Sequence, residues 1–384
     1  MAAESSKSEA QKIDTMASIS SLPNELLLKI LSYLPLTQAV ATSILSNTWK
    51  ALCSQFLEDN YSRLAYFDDF ALISPRRQKS IRLRRSTSDS DLIIRWIETA
   101  ITQRQVEILD VSLCLRNVVP LPSSVFTCST IVVLRLNNVI LSNSGSDSDP
   151  VSVCLPSLKI LHLKSVTFGS LRTVDNLLYS STKILEDLVL HNISISGCQF
   201  VVSCIGSCRS FPKLIRANID SSIFIPLDSA HNVESFRICP LHYRCFGHNP
   251  STTFKNMVSM EVRYCDCWWE FLDTMMKYTT KLQNLVISKK PGGSFTPWID
   301  HSNPVPKCLS SSLRTCCIKG FDSEEGLTCV LPLAKYIVEN GRVLETITIS
   351  CINQFAKDLI NGELLSWQRS SLACQVNIVG GLSG

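Results

Sequence analysis

Two stretches of this chain share one pattern: "LPSLKILHLKSVTF" at 155–168 and "TKILEDLVLHNISI" at 182–195. Each carries Leu-x-x-Leu-x-Leu followed by a short apolar tail, with first anchors Leu158 and Leu185. The spacing recurs on both sides. Upstream stand "RQVEILDVSL" and "STIVVLRLNN"; downstream follow "FPKLIRANID", "AHNVESFRIC", "FKNMVSMEVR", "TTKLQNLVIS", "SSSLRTCCIK" and "GRVLETITIS". The first anchors are Val106, Ile131, Leu158, Leu185, Leu214, Val233, Met257, Leu282, Leu313 and Leu344, at intervals of 19 to 31 residues.

Most of these intervals fall in or near the about 20–29 residues of leucine-rich repeats. Each unit has anchors at steps 0, 3 and 5, and all thirty are apolar, counting Ala217 and Cys316. A chain that is 45% hydrophobic would leave more than a dozen of them polar by chance. The last two anchors of each unit alternate with polar residues, as a half-buried strand requires. Stacked side by side, such units predict an α/β fold: an irregular solenoid with a curved parallel sheet on its concave face. The asparagine that many such repeats place after the strand is mostly missing; Val166 stands there in the third unit.

Residues between and beside the last two anchors must point away from the core. They include Asp110, Arg135, Lys164, Asp187, Arg216, Asp220, Arg237, Glu261, Arg263 and Lys319, with His162, Asn218, Asn284 and Thr348 as uncharged polar groups. A long polar face shared by every repeat suits recognition of an extended protein segment. Arg135, Lys164, Asp187, Arg216, Arg237, Glu261, Arg263 and Lys319 are therefore the candidate target-binding residues. Six of the ten charged positions are basic, which tilts the expectation toward an acidic or phosphorylated segment.

The segments between strands read as helices in places. "SDLIIRWIETAITQRQ" (90–105) lines up Leu92, Ile93, Trp96, Ile97 and Ile101, and "EFLDTMMKYTT" lines up Phe271, Leu272, Met275 and Met276. Both are core-facing stripes at helical spacing. "RRQKSIRLRR" (76–85) is basic, but Ile81 and Leu83 alternate with Arg82 and Arg84, so a first strand with one solvated face is expected rather than a nucleic-acid patch.

The N-terminal stretch "SLPNELLLKILSYLPLTQAVATSILSNTWKALC" (21–53) has a different period. After Pro23, which a helix tolerates only at its start, Leu26, Leu27, Ile30, Leu31 and Leu34 recur at helical steps. Leu34-Pro35-Leu36 ends that helix. Thr37 can cap a second one carrying Val40, Ala41, Ile44 and Leu45, and Ser46 a third carrying Trp49, Leu52 and Cys53. Three helices this short cannot bury every one of these side chains. Each large one left exposed forfeits about 1.5–3 kcal/mol, so the rest of the chain or a partner must cover some.

The stretch resembles an F-box. The pattern is carried by Leu22-Pro23, Leu26 to Leu31, Leu34-Pro35, Ala39-Val40-Ala41, Leu45-Ser46 and Trp49; Asn47-Thr48 and Cys53 stand where a basic residue and a tryptophan are common. The resemblance implies docking on a Skp-type adaptor, and through it on a cullin-RING ubiquitin ligase. It makes Leu22, Pro23, Leu26, Leu27, Ile30, Leu31, Leu34, Pro35, Val40, Leu45 and Trp49 the candidate adaptor-binding residues. Near the other end, "VPKCLSSSLRTCCIKGF" (305–321) and "AKYIVENGRVLETITIS" (334–350) resemble the FBD segment of plant F-box proteins. That segment implies one or two further strand–helix units, with Leu333, Ile337 and Val338 on a helix face.

The order F-box, leucine-rich repeats, FBD is that of the plant F-box/FBD/leucine-rich-repeat family. The expected organisation is a disordered tail over 1–17, a three-helix F-box over 18–57, a linker over 58–79, repeats over 80–302 and FBD-like repeats over 303–384.

Composition fits a non-catalytic role. The net charge of +4 gives no global pull toward nucleic acid or a membrane, and no apolar run reaches the about 18 residues of a membrane helix. The polar start, "MAAESSKSEAQKIDT", lacks the apolar core of a secretion signal, so the 17 cysteines are expected to be reduced and mostly buried, in the cytoplasm, the nucleus or both. His242, Cys245 and His248 in "HYRCFGH", with Cys265 and Cys267 nearby, lack the paired short spacings of a zinc site. No nucleophile elbow, phosphate loop or metalloprotease motif occurs, and no metal or other cofactor is expected. The expected function is substrate recognition for a Skp–cullin–F-box ubiquitin ligase, with an F-box scaffold or a small-ligand sensor as the alternative.

Overall fold

A computed structural model of the chain describes residues 19, 22–34, 38, 42–59, 80–85, 94–95, 97–99, 101–102, 105–113, 119–141, 152–196, 203–204, 210–220, 223–239, 250–264, 268–289, 304–321, 323–351 and 354–380. The chain forms two compact units, Met1–Pro75 and Arg76–Gly384.

In the first unit, α1 (Asn24–Tyr33) and α2 (Asn47–Asp59) flank a 3-10 turn at Thr42–Ile44. The carbonyl of Pro23 accepts from the N–H groups of Leu26 and Leu27, and the Ser46 hydroxyl accepts from the Trp49 N–H at 3.2 Å, the cap its position predicts. Leu27 and Leu31, one helical turn apart, pack with Trp49 and Leu52; Leu28, Ile30 and Leu34 close the margin of that cluster. Of the second predicted helix, residues 35–37 and 39–41, with Pro35 and Val40, lie outside the described residues. So do residues 1–18 and 60–79, on which the tail and most of the linker fall.

The second unit is the solenoid. Its strands are β1 (Ser80–Arg85), β2 (Ile108–Leu113), β3 (Val119–Pro120), β4 (Val133–Leu141), β5 (Ile160–Phe168), β6 (Asp187–His191), β7 (Ser194–Ile195) and β8 (Ser203–Cys204). They continue with β9 (Arg216–Asp220), β10 (Ile223–Phe224), β11 (Ser235–Ile238), β12 (Ser259–Tyr264), β13 (Asn284–Lys289), β14 (Thr315–Lys319), β15 (Thr346–Cys351) and β16 (Gln375–Gly380). The parallel sheet runs β1-β2-β4-β5-β6-β9-β11-β12-β13-β14-β15-β16, in chain order, with β3 and β7 attached to β4 and β5; β8 and β10 pair apart from it.

The anchors stack in register from strand to strand: Leu109, Leu134, Leu161, Leu188, Ala217, Phe236, Met260, Leu285, Cys316 and Ile347 are successive partners. All thirty anchor side chains are buried, the most exposed being Ile238 at 6%. The basic stretch is a strand, as its alternation predicts: β1 pairs with β2, Ile81 opposite Leu109 and Leu83 opposite Val111.

Both 3-10 turns and α-helices return the chain between strands. The 19-residue step from Leu214 to Val233 has room only for a 3-10 turn at Leu227–Ala230. The 25-residue step from Val106 to Ile131 also holds a 3-10 turn, at Ser123–Thr127, and other steps hold helices: α3 (Leu171–Ser181), α4 (Trp268–Tyr278), α5 (Lys307–Ser311), α6 (Glu324–Asn340) and α7 (Gln354–Leu364). Phe271, Leu272, Met275 and Met276 of α4, and Leu333, Ile337 and Val338 of α6, face the core as expected, and Ile97 is buried in the helical stretch before β2. Leu92, Ile93 and Trp96 lie outside the described residues. Neither α3, capped by Ser170, nor β16 stood out from the repeat pattern.

The strand exit carries a ladder one residue earlier than the sequence reading looked for it. At the seventh residue past the first anchor, Asn138, Ser165, Asn192 and Gly320 adopt φ values of 59°, 50°, 50° and 83°. Asparagine and glycine tolerate that left-handed backbone best. Asn138 Nδ2 donates to the Leu113 carbonyl at 2.9 Å, and Asn192 Nδ2 to Ser165 Oγ at 3.2 Å, each partner standing at the same step of the preceding unit. Val166 is simply a core residue.

Candidate functional site

Two surfaces have the chemistry of docking sites. On the first unit, the helical period divides the sequence-derived residues. Leu27, Leu31 and Trp49 are fully enclosed among their own helices, so they hold the bundle together and offer no atoms to a partner. Ile30 and Leu34 are half-buried at the edge of that cluster. Leu22, Pro23, Leu26 and Leu45 are exposed, and with them Tyr33 at 78% and Ile44 at 83%, two residues that were not singled out for a partner. The seven-residue step from Leu26 to Tyr33, two helical turns along one face, could have pointed to Tyr33. The exposure of Ile44 depends on the 3-10 turn and had no such signal.

On the second unit, the residues alternating with the anchors form three rows across the sheet. Charge is concentrated in β2 to β12. There the arginines that looked like free cations already have partners. Arg216 Nε lies 2.9 Å from Asp187 Oδ2, directly across the β6–β9 register. Arg237 Nη2 lies 2.7 Å from Glu261 Oε1, directly across β11–β12. Arg263 is bonded to Asp220, whose carboxylate also faces His191 Nε2 at 3.4 Å. Arg135 Nε donates to His162 Nδ1 at 3.4 Å, and His162 Nε2 stands 3.1 Å from Asp187 Oδ1. Four strands are thus joined by the sequence Arg135–His162–Asp187–Arg216. Burial pushes the Asp187 carboxyl up, but the hydrogen bonds from His162 and Arg216 outweigh it and hold the group below its ordinary range.

The tilt toward an acidic target is therefore weaker than a count of charges suggests: Arg216, Arg237 and Arg263 are paired with carboxylates on the protein's own surface, whereas Arg135 donates to the uncharged His162 ring. Lys164 and Lys319 are exposed and have no ion pair among the described residues. From β13 to β16 the face is nearly uncharged, with Asn284, Thr315, Thr346, Thr348, Gln375 and Asn377 at outward positions; Thr315 Oγ1 donates to Asn284 Oδ1 at 2.8 Å.

Among the described residues two deeply buried thiols are poorly suited to act as nucleophiles. Burial pushes the Cys308 thiol up to about 11 and the Cys316 thiol higher still, the reverse of what activates cysteine. His242, Cys245, His248, Cys265 and Cys267 lie outside the described residues. Among the described residues no helix is long and apolar enough to cross a membrane.

Comparison with known proteins agrees with this architecture. The F-box domain family matches residues 19–59 and the FBD family residues 301–349. In the structure the FBD match contains α5, β14, α6 and the first four residues of β15, two further layers of the same sheet. An F-box/FBD/LRR-repeat protein of Arabidopsis thaliana is 28% identical over 94% of this chain and 96% of its own length. A second protein of that description from the same plant is 25% identical over 94% and 99%. An FBD-associated F-box protein, also from Arabidopsis thaliana, is 29% identical over 87% and 93%. With an F-box first, a stack of repeat strands next and an FBD completing that stack, the chain carries both family domains and is similar along nearly its whole length to plant F-box/FBD/LRR-repeat proteins.

Proposed function

We propose that this chain is the substrate-recognition subunit of a Skp–cullin–F-box ubiquitin ligase. F-box domains generally bind Skp-type adaptors of cullin-RING ligases. The observation that carries the reading is the division of the first unit: its core is complete with Leu27, Leu31, Trp49 and Leu52, yet Leu22, Leu26, Tyr33, Ile44 and Leu45 remain exposed. An apolar set that the fold does not need is a set for a partner.

The target binds the polar face of the solenoid in this reading. Lys164 and Lys319 give charge contacts, and the paired Arg135, Asp187, Arg216, Arg237, Glu261 and Arg263 form a rigid polar floor. Catalysis belongs to the assembled ligase. The chain contributes proximity, by raising the effective concentration of target lysines beside the charged ubiquitin carrier. No residue of the chain forms a covalent bond. Among the described residues seven of nine cysteines are buried and all nine are free thiols, which suits action in the cytosol or nucleus.

Leu22→Ala with Leu26→Ala tests the docking arm. Both side chains are exposed, so the melting profile stays unchanged while adaptor affinity falls at least about tenfold; unaltered adaptor affinity in calorimetry would refute the assignment. Lys164→Glu with Lys319→Glu tests the target arm. Proteins co-purifying under proteasome inhibition should be lost while the adaptor is retained, and their full recovery would move the target site off this face.

A further inference from the structure

Among the described residues the sheet ends at β16, and this strand pairs only with β15. The Gln375 N–H donates to the Glu345 carbonyl of the entry to β15 at 2.9 Å. Alternate residues of a strand turn their N–H and C=O groups to opposite sides. Gln375, Asn377 and Val379 therefore bond inward to β15, and the backbone groups of Val376 and Ile378 point out of the edge.

The side chains show the same incompleteness. Ile347 and Ile349 of β15 are fully buried, whereas their neighbours Val376 and Ile378 are only half-buried. The last core layer lacks the cover that each earlier strand receives from the next. Natural edges are usually guarded by charge, proline or a covering element. The stretch Gln375–Gly380 has neither charge nor proline.

We propose that β16 is a self-association surface, paired antiparallel with β16 of a second copy of this chain. The strand is complementary to itself. A two-fold axis at Asn377 sets Val376 opposite Ile378 of the partner, and Ile378 opposite the partner's Val376. In that register both pairs are hydrogen-bonded, because the outward N–H and C=O groups belong to those residues. On the core side the pairing joins two β-branched apolar side chains, completing the open layer. On the polar side it brings two exposed Asn377 amides together at a non-hydrogen-bonded position, where side chains approach most closely. Gln375 faces Val379 of the partner, so no charge is buried. The two sheets become one continuous sheet across the axis. One strand edge buries less than the about 1,200–2,000 Å² of standard stable interfaces, so the association is weak and concentration-dependent.

Sedimentation velocity of the full chain between about 1 and 100 μM tests this. The wild type should shift from monomer to dimer across that range. Asn377→Lys places two ammonium groups across the axis and should weaken association at least about tenfold. Its melting profile stays unchanged, because Asn377 is exposed and its backbone bonds to β15 are kept. Asn377→Glu alone should behave in the same way. An equimolar mixture of the two variants should restore the dimer. A monomer at every concentration, a dimer insensitive to Asn377→Lys, or a mixture that fails to recover would each overturn the proposal.

Discussion

Asp187 and Arg216 stand directly opposite one another on β6 and β9, with Oδ2 2.9 Å from Nε, while His162 on β5 reaches the other carboxylate oxygen at 3.1 Å. One carboxylate thus ties three strands on the polar face.

That bond makes stability depend on acid. The Asp187 carboxyl is held below its ordinary value of 3.8 in the folded chain, so its folded form binds a proton less readily than its unfolded form. Its contribution is fully present above about pH 4 and is lost as pH falls through the depressed folded value. Asp187→Asn should lower stability by about 1 kcal/mol at neutral pH, because Arg216 is itself largely solvated. The loss should shrink toward zero in strong acid. Urea titrations of both proteins at several pH values measure it.

Three glycines should respond to alanine in different ways. Gly320 has φ 83°, and a Cβ there would lie 3.3 Å from Lys289 Cβ, so Gly320→Ala should cost about 1–2 kcal/mol. Gly341 ends α6, and a Cβ would lie 2.6 Å from the Ile337 carbonyl oxygen; Gly341→Ala should cost at least as much. Gly362 lies within α7 with open space around it, so Gly362→Ala should stabilise by about 0.5–1 kcal/mol. Thermal melts rank the three.

Trp49→Ala should unfold the first unit, at a cost of about 3–5 kcal/mol for a buried tryptophan. Ile44→Ser, at a fully solvated position, should leave its proton spectrum native. An NMR comparison separates the two, and a native spectrum for Trp49→Ala would remove that residue from the core.

Cysteine reactivity should follow exposure. Among the described cysteines, Cys154 is exposed and should alkylate first in the native chain at about pH 8, whereas Cys308 and Cys316, buried with thiols pushed far up, should react only on denaturation. Mass spectrometry of timed iodoacetamide labelling reads the order.

The spacing of apolar residues by itself determined the repeat, its strands and its register. Burial of an anchor is a local, periodic demand, and a strand cannot satisfy it in another register without exposing Leu109, Leu188 or Ile347. The F-box helices were legible for the same reason: Leu27 and Leu31 recur at one helical turn. Only the tertiary structure decided which members of an apolar set face inward, because Leu26 and Leu27 are alike in chemistry and differ only in the packing of α1 on α2. It also decided the charge of the polar face. The partners of Arg216, Arg237 and Arg263 lie 24 to 43 residues away along the chain and meet them only when the strands stack. The half-covered β16 belongs to the same class, since an edge exists only where stacking stops.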